Sequence, residues 1–291
     1  MLYLIGSIIF TSWLTLSFKV IEKFGINNLQ AIVFNYFTCV VTGSVINGSF
    51  PVQKSTLTEP WFPWTLVMGI MFVLLFNLVA LTTQRLGVAI SSVAYKLSLI
   101  IPYLFSIYLY NEKSTLLKTA GIGLALAAVF LTCYRTSKKK VQDPSGFLIW
   151  FLPVVLFFGS GFLDTMIKYV EQSFMSGSNN NYYLITAFLV AALAGTVLLG
   201  VQLLQKKQRL SGKAALAGLA IGVPNYFSIW CLVKVLKEYG ENSSAIIPIN
   251  NMGIVLFSSV IAFLFLRERL SVLNWMGIAL SLGAIALIAY G

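Results

Sequence analysis

The sequence contains no histidine, which removes in one step a Ser-His dyad, a histidine-ligated metal and a haem held by imidazole. Charge is scarce as well. Only 10% of the 291 residues are charged, against about 25% in a soluble globular domain. Acidic groups are the scarcest, with nine aspartates and glutamates beside twenty lysines and arginines. A chain so poor in polar surface cannot coat a sphere with water-facing side chains. Three cysteines occur, Cys39, Cys133 and Cys231, without metal-ligand spacing or a disulfide framework, and they read as small apolar packing residues. Gly121-x-Gly123 lacks a phosphate-loop context, and Gly159-Ser160-Gly161 has no histidine to act as its base, so it reads as small-residue packing. These absences point away from an enzyme and call for no cofactor and no metal.

What the chain has in abundance is apolar surface: 58% hydrophobic residues and a mean hydropathy of +0.86. Lipid is the fitting solvent. The net charge of +11 does not indicate nucleic acid, because the basic residues do not interleave with aromatics on a polar face. They sit between apolar runs, as in Arg135 with Lys138, Lys139 and Lys140, or Lys206, Lys207 and Arg209, where anionic lipid favours them. A span needs about 20 mostly apolar residues. The chain is expected to cross the membrane at 2–24, 28–47, 63–85, 87–110, 114–134, 147–171, 182–205, 212–238, 242–266 and 271–290. The first run starts at Met1 with no basic residues before it and no small-residue cleavage site after it, so it is expected to be a retained span. The expected fold is an all-α polytopic membrane protein of ten helices.

The two halves of the chain resemble each other. At an offset of 156 residues, 87–134 aligns without a gap to 243–290, bringing Glu112 onto Glu268, Thr115 onto Ser271 and Gly121 onto Gly277. At 152, Gly43 and Gly48 fall on Gly195 and Gly200; at 149, Lys19 and Glu22 fall on Lys168 and Glu171. Two five-helix repeats are expected, at 1–135 and 146–291. An odd number of helices per repeat makes the second copy enter the membrane from the opposite side. Inverted repeats of this kind place a transport site between the halves, near the bilayer midplane.

The string Asn111-Glu112-Lys113-Ser114-Thr115 followed by Gly121, and its second copy Arg267-Glu268-Arg269-Leu270-Ser271 followed by Gly277, resemble the drug/metabolite transporter superfamily, in its EamA-like branch. Asn111 and Arg267 stand where that family often has glycine. The resemblance implies ten helices in inverted repeats and the export or exchange of small metabolites. The physical chemistry of the motif is local. Glu112 and Glu268 precede helix N-termini, where the dipole favours negative charge; Thr115 or Ser114, and Ser271, can cap free N–H groups; Gly121 and Gly277 permit close helix approach.

Polar groups deep in a span mark candidate transport residues. Lys96 stands about ten residues into the fourth span, where a lysine costs roughly 2.5–3.5 kcal/mol on insertion scales. With Tyr95 and Ser92 beside it, it is expected to line a cavity and bind an anionic group, or else to pair with Asp164. Asp164 is the one acidic residue well inside a span; it could couple protons, or pair with Lys168 one turn on. Trp13, Asn35, Asn77, Asn225, Asn250 and Asn251 complete the candidate substrate-binding set, alongside the aromatics Tyr36, Tyr226 and Trp230. Pro224 and Pro248 are expected to kink or unwind their helices and expose carbonyls.

The function these residues suggest is secondary transport of a small polar metabolite, such as an amino acid or another carboxylate, across a bacterial inner (plasma) membrane, as exporter or exchanger. A flippase for a lipid-linked head group is the alternative. The expected partners are the substrate and the bilayer, not nucleic acid, and a homodimer remains open. Thirteen of the twenty basic residues fall at loops after odd-numbered helices, which puts both termini outside by the positive-inside rule. The resemblance implies termini inside.

Overall fold

A computed structural model describes residues 1–50, 52, 54–110, 115–133, 146–174, 180–205, 209–238, 243–268 and 270–290. Among these residues there are helices and no strands. The α-helices are α1 (Leu2–Lys23), α2 (Asn28–Asn47), α3 (Phe62–Leu86), α4 (Val88–Leu97), α5 (Ile100–Tyr110), α6 (Leu116–Cys133), α7 (Gly146–Phe174), α8 (Asn180–Leu204), α9 (Gly212–Glu238), α10 (Ser243–Phe265) and α11 (Val272–Tyr290). A short 3₁₀ turn, Lys54–Thr58, precedes α3. Seven stretches are long and apolar enough to cross a bilayer, one of them spanning α4 and the start of α5; Thr119–Thr132, Ile249–Phe265 and Val272–Ile288 are shorter apolar helices.

The ends of these helices are set by local chemistry. Asn27 opens α2, its side chain accepting from Gln30 N–H at 3.0 Å, and Gly48 closes it in the left-handed conformation at φ 73°. Ser271 caps α11 as expected. Its hydroxyl accepts from Asn274 N–H at 3.2 Å while Asn274 Oδ1 accepts from Ser271 N–H at 3.0 Å, a capping box with asparagine in the glutamate position.

The fourth expected span differs from its expectation. It breaks at Ser98–Leu99, between α4 and α5. Pro102 explains the break, since it has no N–H to give Ser98 C=O and its ring crowds that carbonyl. Ile101 N–H takes the carbonyl instead, at 2.9 Å. Lys96 therefore lies in the last turn of a ten-residue helix, not at the centre of a long one. Of the kinking or unwinding expected at Pro224 and Pro248, the unwinding does not occur: α9 and α10 run through them.

By contacts the chain forms two compact units that interleave both halves of the sequence. The first comprises Met1–Lys19, Leu78–Gly161 and Phe227–Gly291. Its core joins Ala89, Val93 and Leu97 of α4 to Ala125 and Ala128 of α6, Val255 of α10 and Ile278, Ala284 and Ile285 of α11. Here α6 and α11 run antiparallel. A Cβ on Gly121 would come within 2.8 Å of Ile288, and one on Gly277 within 2.5 Å of the Thr132 backbone nitrogen, so both glycines serve the close approach expected of them.

The second unit comprises Val20–Asn77 and Phe162–Tyr226. In it α2 and α8 also pack antiparallel: Gly43 lies against Ile185 and Gly195 against Val33. Tyr36 is buried among Phe72, Phe76 and Phe188 and donates its hydroxyl to Phe72 C=O at 2.9 Å.

Candidate functional site

In the first unit the candidate residues gather on α4 and α10. Ser92 is fully buried and accepts a hydrogen bond from Ser258 of α10 at 2.9 Å, a cross-helix contact that the sequence did not single out. One turn on, Lys96 places its ammonium 4.3 Å from the centroid of the Tyr95 ring, within cation–π range. Both side chains are half-buried. Being in the last turn of α4, the ammonium also meets the negative end of that helix's dipole, and Ser98 Oγ donates back to Tyr95 C=O at 2.5 Å. The short helix thus ends in a cation, an aromatic face and a broken backbone, held together by local interactions.

Asn250 and Asn251 are buried on α10, and Asn250 Oδ1 has no hydrogen-bond partner among the described residues. Trp13 is different: half its surface is exposed, so its ring stands on an open face of α1. Trp230, the aromatic of α9, packs edge-on against Tyr3 and Phe227 and covers Lys234 at 5.3 Å; these contacts give it a packing role.

The second unit holds the other candidates. Asn35 of α2, wholly buried, accepts from Asn225 of α9 at 3.1 Å, while Asn35 Nδ2 finds no partner among the described residues. Cys39 shares the cluster and donates to Gly222 C=O at 3.4 Å. An amide donor left unpaired in a buried site costs about 1–3 kcal/mol, so this cluster is built to meet an acceptor or is maintained at a loss. Tyr226, next in sequence, is buried against Gly43.

Asn77 lies apart from that pair. It donates to Val73 C=O of its own helix at 2.8 Å and lines a cleft of about 320 Å³ between α2, α3 and α8. Gln202, which the sequence reading passed over, lines the same cleft, and its Oε1 is buried without a partner among the described residues. Asp164 and Lys168 are half-buried one turn apart on α7. Lys96 belongs to the first unit and Asp164 to the second.

The motif residues divide. Asn111, Glu112, Lys113, Ser114 and Arg269, like the basic groups Arg135, Lys138, Lys139, Lys140, Lys206 and Lys207, lie outside the described residues. Glu268 has a partner that the sequence did not announce. Its carboxylate reaches beyond the helix that follows it and accepts from Val88 N–H at the start of α4, at 2.8 and 3.0 Å. Among the described residues no group of three or more histidine, cysteine, aspartate or glutamate side chains could hold a metal ion.

Side chains such as Phe130 on α6 and Val197 on α8, each 67% exposed, stand outward on long apolar helices. Apolar surface of that extent is sustained by lipid. With the seven long spans it defines a multi-pass integral membrane protein. Residues 146–290 match the EamA-like transporter family, and through this half the chain belongs to that family. A protein of Haemophilus influenzae (strain ATCC 51907 / DSM 11121 / KW20 / Rd), itself uncharacterized, is 27% identical over 276 residues, covering 94% of this chain and 92% of its own. A crystal structure of a protein 17% identical in sequence superposes with a TM-score of 0.63 over 98% of this chain and 94% of that one, so the two share a fold over nearly their whole lengths.

Proposed function

We propose that the chain is a secondary transporter of the bacterial inner membrane that moves a small anionic or zwitterionic metabolite by alternating access. Lys96 carries this reading. An ammonium kept inside a membrane protein, over an aromatic ring and beside a broken helix, is the arrangement that receives a carboxylate. Ten spans in two inverted repeats, 1–135 and 146–291, complete the proposal.

The repeat reading has support in paired contacts. At the 156-residue offset, Gly121 against Ile288 maps onto Gly277 against Thr132. At the 152-residue offset, Gly43 against Ile185 maps onto Gly195 against Val33. Each antiparallel pair is therefore self-complementary, as contacts across a two-fold axis must be.

The test is solute exchange in liposomes by wild type and Lys96→Ala. Charge-assisted hydrogen bonds contribute about 1.5–3 kcal/mol, so the variant should lose roughly tenfold to a hundredfold in affinity for an anionic solute. Equal kinetics in the two proteins would refute the role of Lys96. Lipid translocation without solute transport would move the protein to the flippase reading.

A further inference from the structure

The segment that carries Lys96 is short and held at its N-terminus and midway along it. α4 has ten residues, too few to be stable by itself, and the break before Pro102 separates it from α5. Its placement depends on its neighbours. On one flank, Ser92 is bonded to Ser258. At the N-terminus, Val88 is fully buried, so its N–H has no water to turn to, and both oxygens of Glu268 receive it. Gly87, just before, adopts φ 107°, and a Cβ there would stand 3.0 Å from Glu268 Oε2, so the carboxylate lies directly on the backbone.

Glu268 is brought there by the way α10 ends. Its own N–H donates to Ala262 C=O at 3.2 Å, and Arg267 before it takes the left-handed conformation at φ 55°. The helix is thus closed through a left-handed residue, normally the work of glycine, here of an arginine. The carboxylate is thus fixed to the end of α10. Val88 and Lys96 are eight residues apart, about 12 Å along the helix axis.

We propose that Glu268 is a positioning residue for transport: anchored to the end of α10, its carboxylate sets where α4 sits and thereby where Lys96 presents its ammonium. The inference rests on Lys96 binding the substrate. A shift of about 1 Å in such a group is enough to cost up to a hundredfold.

Two measurements test it on the full chain, with Cys39, Cys133 and Cys231 replaced by serine. The first is the rate of disulfide formation between Ser92→Cys and Ser258→Cys under mild oxidant. The second, without that pair, is solute transport resolved into KM and kcat. Glu268→Ala should slow the disulfide severalfold and raise KM about tenfold. Glu268→Gln, which keeps one acceptor oxygen and the side chain's shape, should recover part of both and supplies the answer should the alanine variant not fold. Unchanged cross-linking and KM, with only a lower yield of folded protein, would overturn the inference and leave Glu268 as scaffold. Slowed cross-linking in a protein whose unsubstituted form moves no solute would overturn the proposed function instead, leaving the placement of α4 intact.

Discussion

At the scale of single residues, the buried amides carry the sharpest consequences. Asn35 and Asn225 are 0% and 4% exposed and share one hydrogen bond at 3.1 Å. Interhelical polar contacts in membrane proteins are worth less than the dry surroundings suggest, because the unfolded chain in lipid also finds partners. A double-mutant cycle with Asn35→Ala and Asn225→Ala, read by thermal unfolding in detergent, should give a coupling of about 0.6–1.7 kcal/mol. A coupling near zero would mean that the pair is not a stabilising contact and that each amide answers to something else. Arg267 is the opposite kind of residue. It occupies a left-handed conformation that costs a side-chain-bearing residue about 1–2 kcal/mol, and what it delivers is Glu268 on α4. The EamA-like pattern often has glycine here, and the φ of 55° supplies the reason, since glycine adopts it without that cost.

At the scale of elements, the broken fourth span matters most. Pro102 has no N–H to make the helical bond to Ser98 C=O, so α4 and α5 can change their relative angle without breaking a helix. Pro102→Ala restores the missing N–H and should join them into one rod. Slower transport is expected, with binding less affected, and amide hydrogen exchange at Leu99–Ile101 should fall; an unchanged exchange rate would mean that something other than the proline holds the break. The element boundaries were legible in the sequence because apolar runs of about 20 residues are long signals, insensitive to a residue or two. The break was not, though its sign was present: Pro102 sits inside the run, four residues beyond Ser98. Pro224 and Pro248 drew the expectation instead, yet α9 and α10 pass through both. A proline shows where a bond is lost; neighbouring groups decide whether the helix survives it. Ser258 and Glu268 escaped as site residues for a related reason. Their partners, Ser92 and Val88, are 166 and 180 residues away in the chain, and no local pattern reports such a contact.

At the scale of the molecule, the glycines that the sequence aligns at fixed offsets have a physical use. Gly43 and Gly195 close α2 on α8, and Gly121 and Gly277 close α6 on α11, each pair through reciprocal contacts. Self-complementary antiparallel pairs follow when one five-helix design is inserted twice with opposite sense, and opposite sense makes a topological prediction. Ser49 follows α2, Leu210 precedes α9 and Val272 begins α11; all three are exposed. With the ten proposed spans, counting α4 and α5 as one, five crossings separate the first from the second and two the second from the third. In a cysteine-free background, Ser49→Cys should react with an impermeant thiol reagent from one side of the membrane, and Leu210→Cys and Val272→Cys from the other. Reaction of all three from the same side would break the inverted repeat and with it the structural basis for alternating access. The same labels decide the orientation. Leu210 and Val272 border the loops after the seventh and ninth of the ten expected spans, two of the odd-numbered-span loops where thirteen of the twenty basic residues lie. Labelling of these two from the cytoplasm would mean that charge sets the topology and both termini face outward; labelling from outside would place the termini in the cytoplasm, as the family resemblance implies, and show that basic residues at helix ends serve contacts such as Lys19 with Gln84 C=O rather than topology.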